Sequence, residues 1–372
     1  MSPTRLWAVT RKELIQLRRD TRSLVLAFLL PILLLVLFGY AISWDVDRIE
    51  TAVLDRDHSA RSRDLLSAFW SSGYFELVRR VDSYDAVDAL LDRGAVRVVL
   101  VIPPDFAEDL DAGRSAEVQA LVDGADANTA TIALAYAGAI VGSYSRTVRL
   151  QGRQLAAPVE VQTRVWFNED LLSRNMIVPG LVAVIMMIIA AMLTSLTIAR
   201  EWERGTMEQL ASTPVRRSEV VLGKLLPYVA IGLADIVIVS LVGVVLFGVP
   251  FRGSPVLLMS LSLAFIIGAS GLGIFISAVA RSQLLATQLA MVLTFLPAFL
   301  LSGFMFAIDV MPPVLRAFSY LIPARYFLVV TRGIFLKGVG IQVLWIQGLL
   351  MIGFAAAGVF AAIRVFRKTI QT

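Results

Sequence analysis

The sequence predicts an α-helical polytopic membrane protein with six transmembrane helices, cytoplasmic N and C termini, and an inserted extracytoplasmic α/β domain. Three observations predict this fold class: an apolar composition, six long apolar runs, and an uneven distribution of basic residues. Of the 372 residues, 57% are hydrophobic and only 17% are charged. Soluble globular chains are less apolar, and about a quarter of their residues are charged. We therefore expect a chain embedded in a membrane.

Six apolar runs are each long enough to cross a hydrocarbon core roughly 30 Å thick, which takes about 20 residues of α-helix. Asp235 is the one Asp, Glu, Lys, Arg or His within them. We expect each run to form one transmembrane helix, so that residues 176–372 form a five-helix region. The runs are residues 24–43, 176–199, 225–249, 256–280, 284–307 and 343–363.

Basic residues predict the orientation of the chain. Six spans place both termini on one side, and the short segments on that side carry fifteen Lys or Arg, against five on the other. The positive-inside rule then puts the termini and the loop 200–224 in the cytoplasm. This basic charge fits anchoring beside anionic lipid, and we expect no nucleic-acid partner.

Residues 1–23 are predicted to form a cytoplasmic amphipathic helix that connects to the first transmembrane helix, 24–43. Apolar and basic positions alternate at helical spacing, as in helices that lie in the membrane interface. The alternative is a basic flank that only sets the topology. The candidate residues of this interfacial helix are Arg11, Lys12, Glu13, Arg18, Arg19 and Asp20.

The long insert, residues 44–175, is predicted to be the extracytoplasmic α/β domain. Short β-branched runs at 51–54, 75–81, 96–102 and 118–122 alternate with helix-like stretches. A longer helical stretch covers about 125–155, and a strand-like run covers 159–167. The insert contains no Gly-rich phosphate loop. A binding module or structural cap is therefore favoured over an enzyme.

Residues 308–342 are predicted to form an extracytoplasmic re-entrant or interfacial segment. Pro312, Pro313 and Pro323 cut it into apolar pieces that are too short to cross a membrane alone. Irregular backbone at membrane depth must be buried in protein or line a cavity.

The residue inventory excludes several chemistries. The chain has no cysteine and one histidine, His58, so neither a thiolate nucleophile nor an ordinary zinc site is available. The ATP-binding pattern G-x-x-x-x-G-K-[S/T] is absent from the sequence. We therefore expect no catalytic residue, no metal and no ATPase activity in this chain, so that uphill transport needs an ion gradient or a separate ATPase.

Asp235 lies inside the third apolar run, where a charged residue costs roughly 2.5–3.5 kcal/mol. We therefore expect it to face protein or water. One isolated carboxylate makes a poor proton relay, whereas roles in helix packing and in a substrate pathway both stay open.

Three stretches of the sequence resemble one known family, the permease subunits of type-2 ATP-binding-cassette exporters with a large extracytoplasmic insert after the first span. Residues 11–39 are similar to the family's connecting helix and first span. Residues 201–224, EWERGTMEQLASTPVRRSEVVLGK, are similar to its first cytoplasmic loop. Residues 271–338 are similar to its C-terminal signature.

The resemblance implies partners: two cytoplasmic ATPase subunits, which bind the ATP and magnesium, and a second permease copy in a homodimer or heterodimer. It also implies a coupling helix at 202–211 that docks on the ATPase. Gly205 and Thr206 suit a helix start, and Thr213 and Pro214 suit its end. The candidate coupling residues are Arg200, Glu201, Trp202, Glu203, Gly205, Thr206, Met207, Glu208, Leu210, Thr213 and Pro214.

The expected function is that of a permease subunit in the cell membrane, which exports a drug, a lipid or another amphipathic compound. The alternative is a non-transporting membrane scaffold whose extracytoplasmic domain binds a partner. Co-purification of a nucleotide-binding subunit distinguishes the two.

Overall fold

The computed structural model describes residues 1–42, 48–125, 127–149, 167–168 and 172–366. The chain divides into two units, which we call the helical unit (Met1–Ser43 with Arg164–Thr372) and the α/β unit (Trp44–Thr163). In chain order the elements are α1 (Pro3–Arg19), α2 (Thr21–Ala41), β1 (Ile49–Asp55), α3 (Ala60–Ser71), β2 (Phe75–Arg80), α4 (Tyr84–Asp92), β3 (Val98–Ile102), α5 (Phe106–Asp111), β4 (Gln119–Val122), α6 (Ala127–Arg149), α7 (Ser173–Glu203), α8 (Met207–Ser212), α9 (Arg217–Val245), α10 (Pro255–Ala280), α11 (Gln283–Ala290), α12 (Leu296–Leu301), α13 (Pro313–Ser319), α14 (Pro323–Arg332) and α15 (Ile341–Val365).

Among the described residues, six helices are long and apolar enough to cross a membrane, which confirms the number predicted from the sequence. The fifth consists of α11 and α12, joined by a π-helical segment at Met291–Phe295. It ends at Leu301 rather than at residue 307, because Gly303 adopts a φ of +87° and turns the chain. The six spans are Ser23–Ala41, Ser173–Glu203, Arg217–Val245, Pro255–Ala280, Gln283–Leu301 and Ile341–Val365.

Helix α7 forms the centre of the helical unit. In the most apolar 18 residues of α7, 89% are buried, whereas only 22% are buried in the corresponding stretches of α2 and of the α11–α12 span. Because lipid can cover apolar side chains as well as protein can, low burial marks the helices at the periphery.

The segment 308–342 contains two short helices instead of a straight one. Helix α13 and the helical stretch Pro323–Lys337 are bent by 77° at the break between them. Pro313 and Pro323 each occupy the first helical turn, where the missing N–H of proline has no partner to lose.

The α/β unit contains a four-stranded sheet in the order β2-β1-β3-β4. Strand β1 runs parallel to β2 and β3, whereas β4 is antiparallel to β3. The central strand β3, VVLVI, is buried at every position, so each face of the sheet has a core. Helix α6 is described as far as Arg149; the rest of the helical stretch predicted to about 155, and most of the strand predicted at 159–167, lie outside the described residues.

Close contact between α10 and its neighbours depends on glycine. A Cβ on Gly273 would collide with Thr194 Oγ1 and the Ala191 carbonyl oxygen of α7, and one on Gly268 would collide with the Phe354 ring of α15. Small residues let helix backbones approach in a membrane, where no hydrophobic effect drives them together.

We expect Gly273→Ala to destabilise the protein by about 1–3 kcal/mol, because α7 and α10 must separate to admit the methyl group. The measurement is thermal unfolding of the purified chain in detergent. Gly353→Ala in α15 is the matched control, since nothing lies within 4 Å of its added Cβ. Equal unfolding temperatures for the two variants would contradict this account of the packing.

Candidate functional site

The loop 200–224 contains one short helix. Helix α7 continues past the apolar run to Glu203, and Gly205 then turns the chain with a φ of +68°. Helix α8 begins at Met207 after Thr206 and ends before Thr213 and Pro214. The helix that the resemblance implies for 202–211 is thus split between the last turn of α7 and α8.

Helix α1 packs along the start of α9. The Ser2 backbone N–H donates to Glu219 Oε1 at 2.7 Å, and the Arg5 guanidinium donates to the Pro214 carbonyl oxygen at 2.8 Å. A Cβ on Gly223 would lie 2.8 Å from the Cβ of Val9. Glycine therefore allows α1 and α9 to approach closely.

A buried ion network joins α1, α7 and α9. Lys224 Nζ lies 3.0 Å from Glu13 Oε2 and 2.9 Å from Glu201 Oε1. Lys12 Nζ donates to the same oxygen of Glu201 at 2.7 Å, and the Tyr228 hydroxyl lies 3.3 Å from Glu13 Oε1. We call these five side chains the Lys224 network.

The Lys224 network balances its charges internally, with two ammonium groups facing two carboxylates. Lys224 is 2% exposed, and Glu13 and Glu201 are 3% exposed each. Burying ions costs several kcal/mol each, and their attraction in the interior offsets this only while all partners are in place. The network therefore strongly disfavours any arrangement in which α1 leaves α7 and α9.

A second group of polar contacts lies beside the network. Arg200 Nη1 lies 2.8 Å from Asp20 Oδ2, and Asp20 also accepts from the backbone N–H of Ser23 at the start of α2. Burial raises the pKa of the Asp20 carboxyl, but the hydrogen bonds from Ser23 and the charge of Arg200 outweigh it, so the pKa is lowered. Asp20 therefore stays ionised near neutral pH and caps α2.

The predicted coupling residues differ in how far they are exposed at the surface of the chain. Glu201 and Met207 are buried within the chain, and Glu203 is exposed but accepts hydrogen bonds from the backbone and side chain of Gln283. Gly205, Glu208 and Pro214 are exposed, and Arg200, Trp202, Thr206, Leu210 and Thr213 are partly exposed.

Of the interfacial-helix residues, Glu13 and Lys12 enter the Lys224 network, Asp20 pairs with Arg200, and Arg11, Arg18 and Arg19 are exposed. Sequence reasoning missed Lys224 and Tyr228 as members of the site. Their spacing of four residues places both side chains on the same face of one helix, which was a signal that they could share a partner.

Asp235 lies outside the Lys224 network, about 16 Å from Lys224 and about 10 Å from Tyr228 along α9 at 1.5 Å per residue. It is 1% exposed, and its Oδ2 has no hydrogen-bond partner among the described residues. It therefore faces protein. The described residues contain no group of three or more His, Cys, Asp or Glu that could hold a metal ion.

Comparisons with known proteins agree on one family. Residues 22–363 match the family described as "ABC-2 family transporter protein". The chain is 39% identical over 340 residues to "Probable multidrug ABC transporter permease YbhS" of Escherichia coli K12, covering 91% of this chain and 90% of that protein. It is 29% identical over 367 residues to "Probable multidrug ABC transporter permease YbhR" of the same strain, covering 99% of both.

A eukaryotic relative is similar over only part of its length. The chain is 25% identical over 366 residues to "ABC transporter G family member 20" of Dictyostelium discoideum. The match covers 96% of this chain and 50% of that protein.

We expect Lys224→Met to lower the free energy of unfolding by about 3–5 kcal/mol, because it leaves two buried carboxylates without their shared cation. Adding Glu13→Gln should recover part of the loss by removing one of those charges. Unfolding in detergent measures both effects. The control is Lys337→Met, which removes an exposed lysine. A Lys224→Met protein as stable as this control would show that the network does not hold α1, α7 and α9 together.

We expect Asp235→Leu to raise stability by about 1–3 kcal/mol, because it removes a buried group with an unpaired oxygen. The unfolding temperature checks this, with the exposed Asp309→Leu as the control. A loss of stability would show that Asp235 has a partner in the assembled protein. A stabilised variant that no longer transports would place Asp235 in the pathway.

Proposed function

This chain belongs to the ABC-2 family of transporter proteins, and we propose that it is the permease subunit of an exporter driven by separate ATP-binding subunits. It is a multi-pass protein of the inner or plasma membrane. The sequence contains no ATP-binding loop of its own. ATP and magnesium would therefore bind to the partner subunits, which form no part of this chain.

The proposed docking surface for the ATPase is the exposed side of α8 and its flanking turns. It includes Gly205, Glu208 and Pro214, which are exposed, with Leu210 partly exposed beside them. Two copies of the ATPase subunit would meet two permease copies. Glu201 and Met207 act from inside the chain, where they hold the docking surface in position.

A displacement of α8 would reach the membrane through α7. The turn 204–206 links α8 directly to the most buried span. The Lys224 network connects the same end of α7 to α1 and α9, so that these helices move as one body. ATP binding would then favour one of two conformations of the permease. This linkage is the single observation that carries the coupling proposal.

The proposed orientation has the termini and α8 in the cytoplasm, with the α/β unit and residues 308–342 outside. The excess of basic residues in the short segments at the ends of α1, α7 and α9 supports this orientation.

The proposed cargo is a drug, a lipid or another amphipathic compound. The name of YbhS, a probable multidrug ABC transporter permease, supports this class. A path between two permease copies, in a homodimer or heterodimer, is supported by the low burial of α2 and of the α11–α12 span.

A second candidate function is a non-transporting scaffold whose α/β unit binds a partner. The separate core of the α/β unit is the observation that favours it. A scaffold predicts no bound ATPase subunit after gentle purification, whereas a permease predicts one in roughly equal amount.

We expect Glu208→Lys to reduce transport-coupled ATP hydrolysis roughly tenfold, because it reverses a charge on the proposed docking surface. The measurement is ATPase activity of the reconstituted complex with and without cargo. Asp88→Lys in α4 is the matched control, since it reverses an exposed charge in the α/β unit.

The unfolding temperature of the Glu208→Lys chain should match that of the control, because Glu208 makes no ion pair within the described residues. Unchanged coupling in a complex that assembles normally would reject α8 as the docking helix.

A further inference from the structure

A pocket of about 420 Å³ lies where α7, α10 and α15 end, on the face that carries α1 and α8. Trp202, Val279, Arg281, Arg364 and Phe366 are among its lining residues. Its volume is within the range of small-molecule sites, roughly 300–1,000 Å³. We call it the basic pocket.

The basic pocket contains two arginines and no acidic side chain. Neither Arg281 nor Arg364 forms an ion pair with any described residue. Two acidic residues flank Trp202 in sequence: Glu203 accepts hydrogen bonds from Gln283, and Glu201 pairs with Lys12 and Lys224. Within the part of the chain that the structure describes, no carboxylate therefore neutralises the two guanidinium charges.

The arginines are held in place beside aromatic rings. The Arg281 guanidinium carbon lies 5.0 Å from the centre of the Trp202 ring, and that of Arg364 lies 5.2 Å from the centre of the Phe360 ring. Arg281 also has a φ of +55°, the left-handed conformation with which it ends α10.

The helix ends around the pocket do not cancel this charge. Each helix C-terminus is equivalent to roughly half a negative charge, and its effect falls off within one turn. Three such ends, from α7, α10 and α15, are weaker than two full guanidinium charges. The basic pocket therefore keeps a positive potential.

The outer wall of the pocket continues into surface that faces lipid. Val279 is 53% exposed and Phe360 is 60% exposed, and both belong to membrane-spanning helices. A ligand that fits has a phosphate group for the arginines and apolar chains for this wall. Basic pockets between transmembrane helices bind the headgroups of anionic lipids.

We propose that the basic pocket binds the phosphate group of an anionic phospholipid, whose acyl chains run along Val279 and Phe360. The lipid connects α10 and α15 to Trp202, one residue before the end of α7. An acidic segment of the ATPase subunit fits the charge as well, but it does not explain the apolar wall beside the arginines.

The test is native mass spectrometry of the full chain purified in detergent and titrated with phosphatidylglycerol or phosphatidylcholine. We expect phosphatidylglycerol to bind more tightly. Arg281→Gln with Arg364→Gln should weaken the first phosphatidylglycerol site roughly 30-fold, at about fivefold for each arginine near a membrane surface. Arg281→Lys with Arg364→Lys keeps both charges and should bind more tightly than the glutamine pair.

The matched control is Arg216→Gln with Arg217→Gln, which removes two exposed charges from the start of α9 and should leave this site nearly unchanged. Equal affinity for the two lipids, or unchanged phosphatidylglycerol binding in the glutamine pair, would overturn the proposal. Displacement of the lipid by millimolar inorganic phosphate would reassign the pocket to a free anion. Retained lipid binding with loss of the co-purifying ATPase subunit would reassign it to a protein interface.

Discussion

The packing of α1, α7 and α9 in the helical unit depends on one constraint, a lysine ammonium group that is buried inside a membrane protein. Lys224 is 2% exposed, and its charge is compatible with burial only while Glu13 and Glu201 both contact it. These two carboxylates come from two different helices, α1 and α7. Because a lost partner leaves an uncompensated charge, the three helices have essentially one stable arrangement.

Such a network contributes specificity more than stability. Apolar residues of similar volume would pack α1 against α9 at least as stably, but they would also tolerate sliding or rotation. The Lys224 network tolerates neither, because Glu13 Oε2 and Glu201 Oε1 must each stay within about 3 Å of an ammonium nitrogen. This property suits a helix pair that is expected to transmit motion between a partner and the membrane.

Some of this architecture could be predicted from the sequence, and the reasons are local. Each span is a long, uniform apolar run, and the sheet of the α/β unit follows from β-branched runs such as VVLVI at Val98–Ile102. The turn at Gly205 and the end of α8 at Ser212, two residues before Pro214, also follow from single residues with special backbone preferences.

The partners of Glu201 could not be predicted in this way. A glutamate just past an apolar run is usually solvated, and the family resemblance implies a docking role for this one. The structure instead turns it inward towards Lys12, which lies 189 residues away in the chain. Periodicity reports which face of a helix is apolar, and it carries no information about a pair so distant in sequence.

The last turn of α7 shows why this region holds so many contacts. Four consecutive residues, each rotated about 100° from the one before, reach four directions. Arg200 contacts Asp20 before α2, Glu201 contacts α1 and α9, Trp202 lies under Arg281 at the end of α10, and Glu203 binds Gln283 at the start of α11. One helical turn thus contacts α1, α9, the residue that caps α2, and the residues at the end of α10 and the start of α11. A small rotation of the end of α7 would change all of these contacts together, and α8 is joined to that end by only three residues.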